Sequence, residues 1–321
     1  MYTQIKNFIK KHAFIKRDSV IIVGLSGGPD SVFLLYFLAS LQEEYNLSLI
    51  AAHLNHEWRP EADQEQKDCE LLAQKLNIPF VVVKRSELSA AITYNGSQEE
   101  YGRKMRRYFF EKVLREHNAH AIALAHHAQD QEETFFIRLI RGSSLTGLTS
   151  IKPQHGLYIR PLLETSKTDI LAWLHENNIP YATDTTNESS DYLRNRIRMN
   201  VLPALRTCDE RFATNFLSTL NRLQSTEQFL EKLTHTTFNE ISHIADNQRM
   251  INIPQLLALD ETLRHRILMH WLITENVPFP TTQAFLDELM RFLQNKNGGT
   301  HAVHKNWSLV KKQKSAYILI L

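Results

Sequence analysis

The first half of the chain alternates short apolar runs with amphipathic stretches. Apolar runs at 20–25, 47–54, 80–83 and 121–125 have the length and composition of buried strands. Between them, 31–44, 63–76 and 97–117 carry helical spacing. This alternation predicts an α/β fold, a parallel sheet with helices on both faces. Ligands in such folds sit at the carboxyl ends of the strands. Ser26, His53, Asn55 and His126 fall there. From about Asp209 the pattern changes, with helical periodicity at 212–233, 253–276 and 281–294 and no clear strands between. The end of the chain, 302–321, returns to β-like alternation. The expected organisation is one domain over 1–215 and a smaller, mainly helical one over 216–321 with a short terminal β segment.

Composition narrows the class. The chain has 321 residues, 43% apolar and 22% charged, as expected of a soluble globular protein. Cys69 and Cys208 are too few and too far apart for a disulfide framework or a Cys-x-x-Cys metal site. That fits a reducing cytoplasm. Residues 1–16 are basic but lack the apolar core and cleavage site of a signal peptide. No run reaches the length of a membrane span, so no membrane partner is expected. A net charge of +2 is too small to imply nucleic acid, and any such case rests on local patches.

The first such patch follows the first strand. Ser26-Gly27-Gly28-Pro29-Asp30-Ser31 is a glycine turn opening a helix. Adjacent glycines let backbone N–H groups approach a ligand, and the helix start adds free donors and a positive dipole end. The serines can donate to phosphate, and Asp30 can hold magnesium. An ordinary strand-to-helix turn uses the same residue types. Neither Gly-x-x-x-x-Gly-Lys-Ser/Thr nor Gly-x-Gly-x-x-Gly is present.

Further polar clusters follow later strands. His53-Leu54-Asn55-His56 precedes Arg59 and a predicted helix start at Pro60 to Asp63. Arg103, Arg106 and Arg107 share one helix face, suited to phosphates or to solvent. His126 and His127 with Asp130, Glu133 and Thr134 open the helix after the fourth strand, a set fit for acid–base work or for a cation. The order His-Glu-x-x-His is absent, which disfavours zinc. Arg194, Arg196 and Arg198, close behind Asp184 to Asn187 and Tyr192, form either a compact anion site or a surface helix paired with nearby acids. Lys305, Lys311, Lys312 and Lys314 could touch backbone phosphates or form a solvated tail.

Together these motifs resemble the tRNA(Ile)-lysidine synthase family of PP-loop, N-type ATP pyrophosphatases. The matches are Ser26–Ser31, His53-x-Asn55-His56-x-x-Arg59, Gly102-Arg103-x-x-Arg106, Ala125-His126-His127 with Asp130-Gln131 and Glu133-Thr134, Arg141-Gly142-Ser143, Gly147-Leu148, Arg160-Pro161-Leu162-Leu163 and Arg194 to Arg198, in order over about 18–206. The chain departs from the family at Glu57 and Trp58, where a small residue and Leu are commoner. Arg107 and Gln129 also depart, replacing a usual Tyr and a frequent Asp. Long members carry a further C-terminal domain, so RNA contacts are expected to be distributed differently here.

The resemblance implies a Rossmann-like (adenine nucleotide α-hydrolase-like) domain using ATP and Mg2+. Its substrates would be L-lysine and a tRNA(Ile) with a CAU anticodon, and a homodimer is open. ATP contacts fall on Ser26, Gly27, Gly28, Pro29, Asp30, Ser31, His53, Asn55 and Arg59, with Asp30 also holding the metal. Asp30, Arg103, His126, Asp130 and Arg194 take catalytic roles, while His127, Glu133, Arg106 and Arg198 face lysine or RNA. A PP-loop tRNA thiolase would need more cysteines, and a non-catalytic RNA-binding protein would not need the phosphate turn.

Overall fold

Alternate side chains of the first strand, β1 (Val20–Gly24), enter two different cores: Ile21 and Val23 one, Ile22 the other. Both faces are covered, so the strand is apolar throughout. The computed structural model describes residues 1–88, 98–149, 151–182, 193–245, 247–280 and 282–320. Within these, the chain divides into two units, Met1–Leu220 and Asn221–Leu321.

In the first unit, α1 (Tyr2–His12) precedes β1, and α2 (Pro29–Ala39) and α3 (Gln42–Tyr45) lead to β2 (Ser48–Asn55). Next come α4 (Ala62–Lys75), β3 (Phe80–Lys84), α5 (Arg85–Leu88), α6 (Gln98–Glu116) and β4 (Ala121–Ala123). After these lie α7 (Ala128–Ile140), α8 (Leu145–Leu148), β5 (Gln154–His155), β6 (Tyr158–Ile159) and α9 (Lys167–Glu176). Then follow α10 (Leu193–Arg196), a π-helical turn Ile197–Val201, and α11 (Leu202–Cys208). The sheet order is β3-β2-β1-β4-β6-β5, parallel except for β5.

Helix α2 is apolar almost all round because it is enclosed: Phe33, Leu34, Leu35, Phe37 and Leu38 are fully buried with α1 and α9 on one face of the sheet. On the other face, Met105, Phe109, Phe110 and Val113 of α6 pack on Ile22, Ile50 and Leu54. From β1 the chain builds outward to β2 and β3, then crosses back to place β4 on the opposite side of β1. The strand order therefore reverses between β1 and β4, and a crevice opens there at the carboxyl ends.

The division between units falls inside α12 (Phe212–Ile241). Beyond it lie β7 (Ser242–Ala245), β8 (Gln248–Asn252), α13 (Ile253–Leu257), α14 (Glu261–Thr274), α15 (Gln283–Gln294), β9 (Gly299–His304), β10 (Trp307–Lys312) and β11 (Ser315–Ile320). The strands form an antiparallel sheet, β7-β8-β11-β10-β9, whose core joins Ile251, Leu309 and Ile318 to Trp271, Leu272, Leu289 and Leu293 of the helices. The β7–β8 hairpin lies where no clear strand is expected. Its residues are mostly polar and Ile244 is exposed, so hydrophobic alternation is missing. Lys311 is not a phosphate contact: its side chain is buried, and Nζ donates to the carbonyls of Leu293 (2.6 Å) and Asn295 at the end of α15. No helix among the described residues is long and apolar enough to cross a membrane.

Candidate functional site

The loop between β1 and α2 is held open by its own hydrogen bonds. Gly27 takes φ of 84°, and a Cβ there would lie 3.3 Å from Cys69 Sγ. Its carbonyl accepts from Ala182 N at 2.9 Å. Ser31 Oγ accepts from Ser26 N (3.1 Å), lies 3.1 Å from Ser26 Oγ, and donates to the Gly28 carbonyl (2.9 Å). Pro29 occupies the first turn of α2, where a missing N–H costs nothing, and Asp30 follows it. Two hydroxyls, a glycine turn and a helix start thus lie together, a composition suited to cradling an anion.

Asp30 faces an ammonium and an imidazole. Lys167 Nζ donates to both carboxylate oxygens, and His127 Nε2 lies 3.7 Å from Oδ2. His127 stands between Asp30 and Asp130, whose Oδ2 is 3.6 Å from Nε2 and accepts from the His127 backbone N–H at 2.9 Å. Burial alone would raise the Asp130 pKa. His127, His126, the His127 amide and Arg194 outweigh it and hold the carboxyl below the usual range. Burial pushes the His126 imidazole down to about 4, against the pull of Asp130 and reinforced by Arg160, Arg194 and Arg103. His126 is therefore neutral at pH 7, and its buried Nδ1 has no hydrogen-bond partner among the described residues.

Glu133 is almost fully buried and sits among arginines. Arg198 grips it bidentately (Nε–Oε1 2.6 Å, Nη2–Oε2 3.1 Å), and Arg194 Nε lies 3.1 Å from Oε2. Arg194 also donates to Thr134 Oγ1 at 3.2 Å. A lysine ammonium would reach Glu133 only by displacing a guanidinium. Next to it, Glu132 pairs with Arg206.

The loop after β2 is spent on holding itself. His53 is buried with Nδ1 2.9 Å from the Leu25 carbonyl, and burial lowers its pKa. Asn55 Nδ2 donates to Asp63 and Gln66, both at 2.9 Å, while its Oδ1 accepts from Glu57 N. Arg59 Nη2 pairs with both oxygens of Glu65 at 3.0 and 3.2 Å. Of these, His53 lies beside the cradle, one strand over, through its contact with the Leu25 carbonyl.

On α6, Arg103 and Arg106 are exposed one turn apart and diverge. Arg103 acts on His126, and Arg106 acts on His56. Asp184 to Asn187 and Tyr192 lie outside the described residues. No group of three or more His, Cys, Asp or Glu able to hold a metal occurs among the described residues.

Lys167 is a candidate site residue that motif spacing misses: its ammonium pairs with Asp30 at the start of α2. Its signal is a cation in the first turn of α9, directly after the cap residue Ser166, where the helix dipole opposes it. Gln129, in place of a frequent carboxylate, accepts from Lys167 N at 2.8 Å and so seats that turn.

A parallel sheet with a phosphate cradle after β1 and a second polar cluster after β4 defines a nucleotide-binding class of α/β enzyme folds. The chain belongs to the PP-loop domain family, which it matches over residues 1–205. It is 33% identical over 308 residues to the tRNA(Ile)-lysidine synthase of Bacillus subtilis (strain 168), covering 93% of this chain and 64% of that protein. With the tRNA(Ile)-lysidine synthase of Clostridium tetani (strain Massachusetts / E88) it shares 39% identity over 219 residues, 68% of this chain and 46% of that protein. The chain thus spans about 63% of the length of the Bacillus relatives it matches. In fold it is similar to the U34-tRNA thiolase NcsA from Methanococcus maripaludis, with a TM-score of 0.58 and 18% identity over 69% of this chain and 78% of that one.

Proposed function

We propose that the chain joins free L-lysine to C2 of the wobble cytidine of a tRNA(Ile) with a CAU anticodon, in the cytoplasm. ATP first adenylates the C2 carbonyl oxygen and releases pyrophosphate. The lysine ε-amine then attacks C2 and expels AMP, leaving lysidine. A carbonyl oxygen is a poor leaving group and an adenylate a good one. The observation that carries this proposal is the convergence of Ser26–Ser31, Asp30–Lys167 and the His126–Asp130–Glu133 cluster on one sheet edge, in a chain similar to synthases of that name.

In this scheme Ser26, Gly27, Gly28 and Ser31 hold the pyrophosphate, with Lys167 beside them as its cation. Asp30 fits a magnesium that arrives on the phosphates, since such ions use one or two carboxylates plus phosphate oxygens and water. The ion would supply charge neutralisation there. Arg103 and Arg194, which both face His126, stabilise charge on the α-phosphate or RNA backbone. Glu133 positions Arg194 and Arg198. The attacking amine must be neutral, and guanidiniums around its path lower its proton affinity. Neutral His126 orients it by accepting a hydrogen bond. The thiolase alternative lacks a cysteine set: Cys69 is buried under Gly27 and Cys208 is exposed, with no third cysteine in the chain.

Incubation with ATP, radiolabelled lysine and bulk bacterial tRNA tests the proposal. Label in tRNA that survives ester-cleaving alkali is expected. Pyrophosphate release that RNA stimulates without lysine incorporation would overturn it.

A further inference from the structure

Trp58, where the family commonly has Leu, is the most solvent-open of the four tryptophans, at 37%. Its ring stacks on His56 with centroids 4.3 Å apart and planes 17° from parallel. The pair lies flat on α6 because Gly102 has no side chain. A Cβ there would come within 2.5 Å of Trp58 Cη2 and 3.2 Å of His56 Cε1. Burial, helped by Arg106, His53 and Arg85, pushes the His56 imidazole down to about 4. The stack is therefore uncharged, yet cations flank it from α5 and α6.

We propose that the outer face of Trp58 is a stacking platform for an unpaired base of the substrate RNA. Aromatic faces beside arginines are the usual means of holding single-stranded bases. RNA is favoured over the adenine of ATP by charge layout. The cradle after β1 is the place proposed for the triphosphate, whereas Arg85 of α5 and Arg106 of α6, both acting on His56, suit a phosphodiester chain passing over the stack. The proposal rests on RNA being the substrate.

The test uses the full chain as Trp58→Ala, Trp58→Leu and Trp58→Phe. The leucine variant keeps apolar bulk against Gly102 and guards against a folding defect, which thermal unfolding also checks. Binding of a synthetic anticodon stem-loop, of the same stem as a blunt duplex, and of ATP is measured at one fixed salt concentration. Trp58→Ala and Trp58→Leu are expected to weaken the stem-loop about five- to a hundredfold, leaving duplex and ATP unchanged, while Trp58→Phe retains most binding. Fluorescence lost in Trp58→Phe is expected to be the part that stem-loop quenches in the wild type. Unchanged stem-loop binding in folded Trp58→Leu, or a loss confined to ATP or shared by the duplex, would overturn the platform. Lysine transfer run in parallel separates the failures. A wild type that transfers lysine with no Trp58 dependence refutes the platform alone, and one that neither transfers lysine nor binds stem-loop refutes both.

Discussion

Lys167 Nζ lies 2.7 and 2.6 Å from the two carboxylate oxygens of Asp30, joining the first turns of α9 and α2 across 137 positions of sequence. Both side chains are about a quarter to a third exposed, at 31% and 25%, so the pair adds little to stability. A lysine at a helix start opposes the dipole, and its compensation is the anion cradle it borders. Lys167→Met is therefore expected to lower kcat/KM for ATP in pyrophosphate release by roughly 10- to 100-fold, the loss of one charge-assisted contact. Thermal unfolding should barely move. ATP dependence equal to wild type would remove Lys167 from the site.

Glu133 anchors two arginines from a buried position, so its removal should act on fold and site together. Glu133→Gln keeps the shape but loses the charge that Arg194 and Arg198 share. It is expected to destabilise the first unit by about 1–3 kcal/mol and to weaken tRNA binding or adenylate formation. Denaturant unfolding and pyrophosphate release report the two effects. A rise confined to the lysine KM, with stability intact, would instead place the substrate ammonium on Glu133.

Local pattern made much of this architecture legible. The buried run of β1, the glycine turn and the polar start of α7 each declare themselves within a few residues, because period and turn chemistry are local. What stayed hidden depends on partners distant in sequence. Nothing near Lys167 announces Asp30, 137 positions away. Arg103 and Arg106 look equivalent on a helix face until the sheet edge beside them is built. The β7–β8 hairpin carries too few apolar residues to alternate.

Lys311 illustrates the same limit and makes a test of its own. It reads as one of four tail lysines, yet its ammonium caps α15 from a buried position. Lys311→Met leaves the Leu293 and Asn295 carbonyls without this donor. A loss of about 1–3 kcal/mol in the second unit is expected, with RNA affinity and its salt dependence unchanged. A lower salt slope without destabilisation would return Lys311 to the phosphate-contact role.

Two histidines set the acid limit of the first unit. His126 and His56 are both pushed down to about 4, chiefly by burial, with arginines adding to it. In the unfolded chain each binds a proton near pH 6.5. Between those values the unfolded state holds more protons, so stability falls as pH drops from about 6.5 towards 4 and is fully present above 6.5. Each histidine contributes a slope of at most about 1.4 kcal/mol per pH unit in that window. Asp130, also depressed, adds its loss at lower pH with the same sign. Urea unfolding of the first unit from pH 7.5 to 4.5 should show this slope, and His56→Gln should reduce it while leaving the site residues in place. Stability that stays flat down to pH 4.5 would mean that the imidazoles are solvated and charged, and His126 could then serve as a proton donor rather than a neutral acceptor.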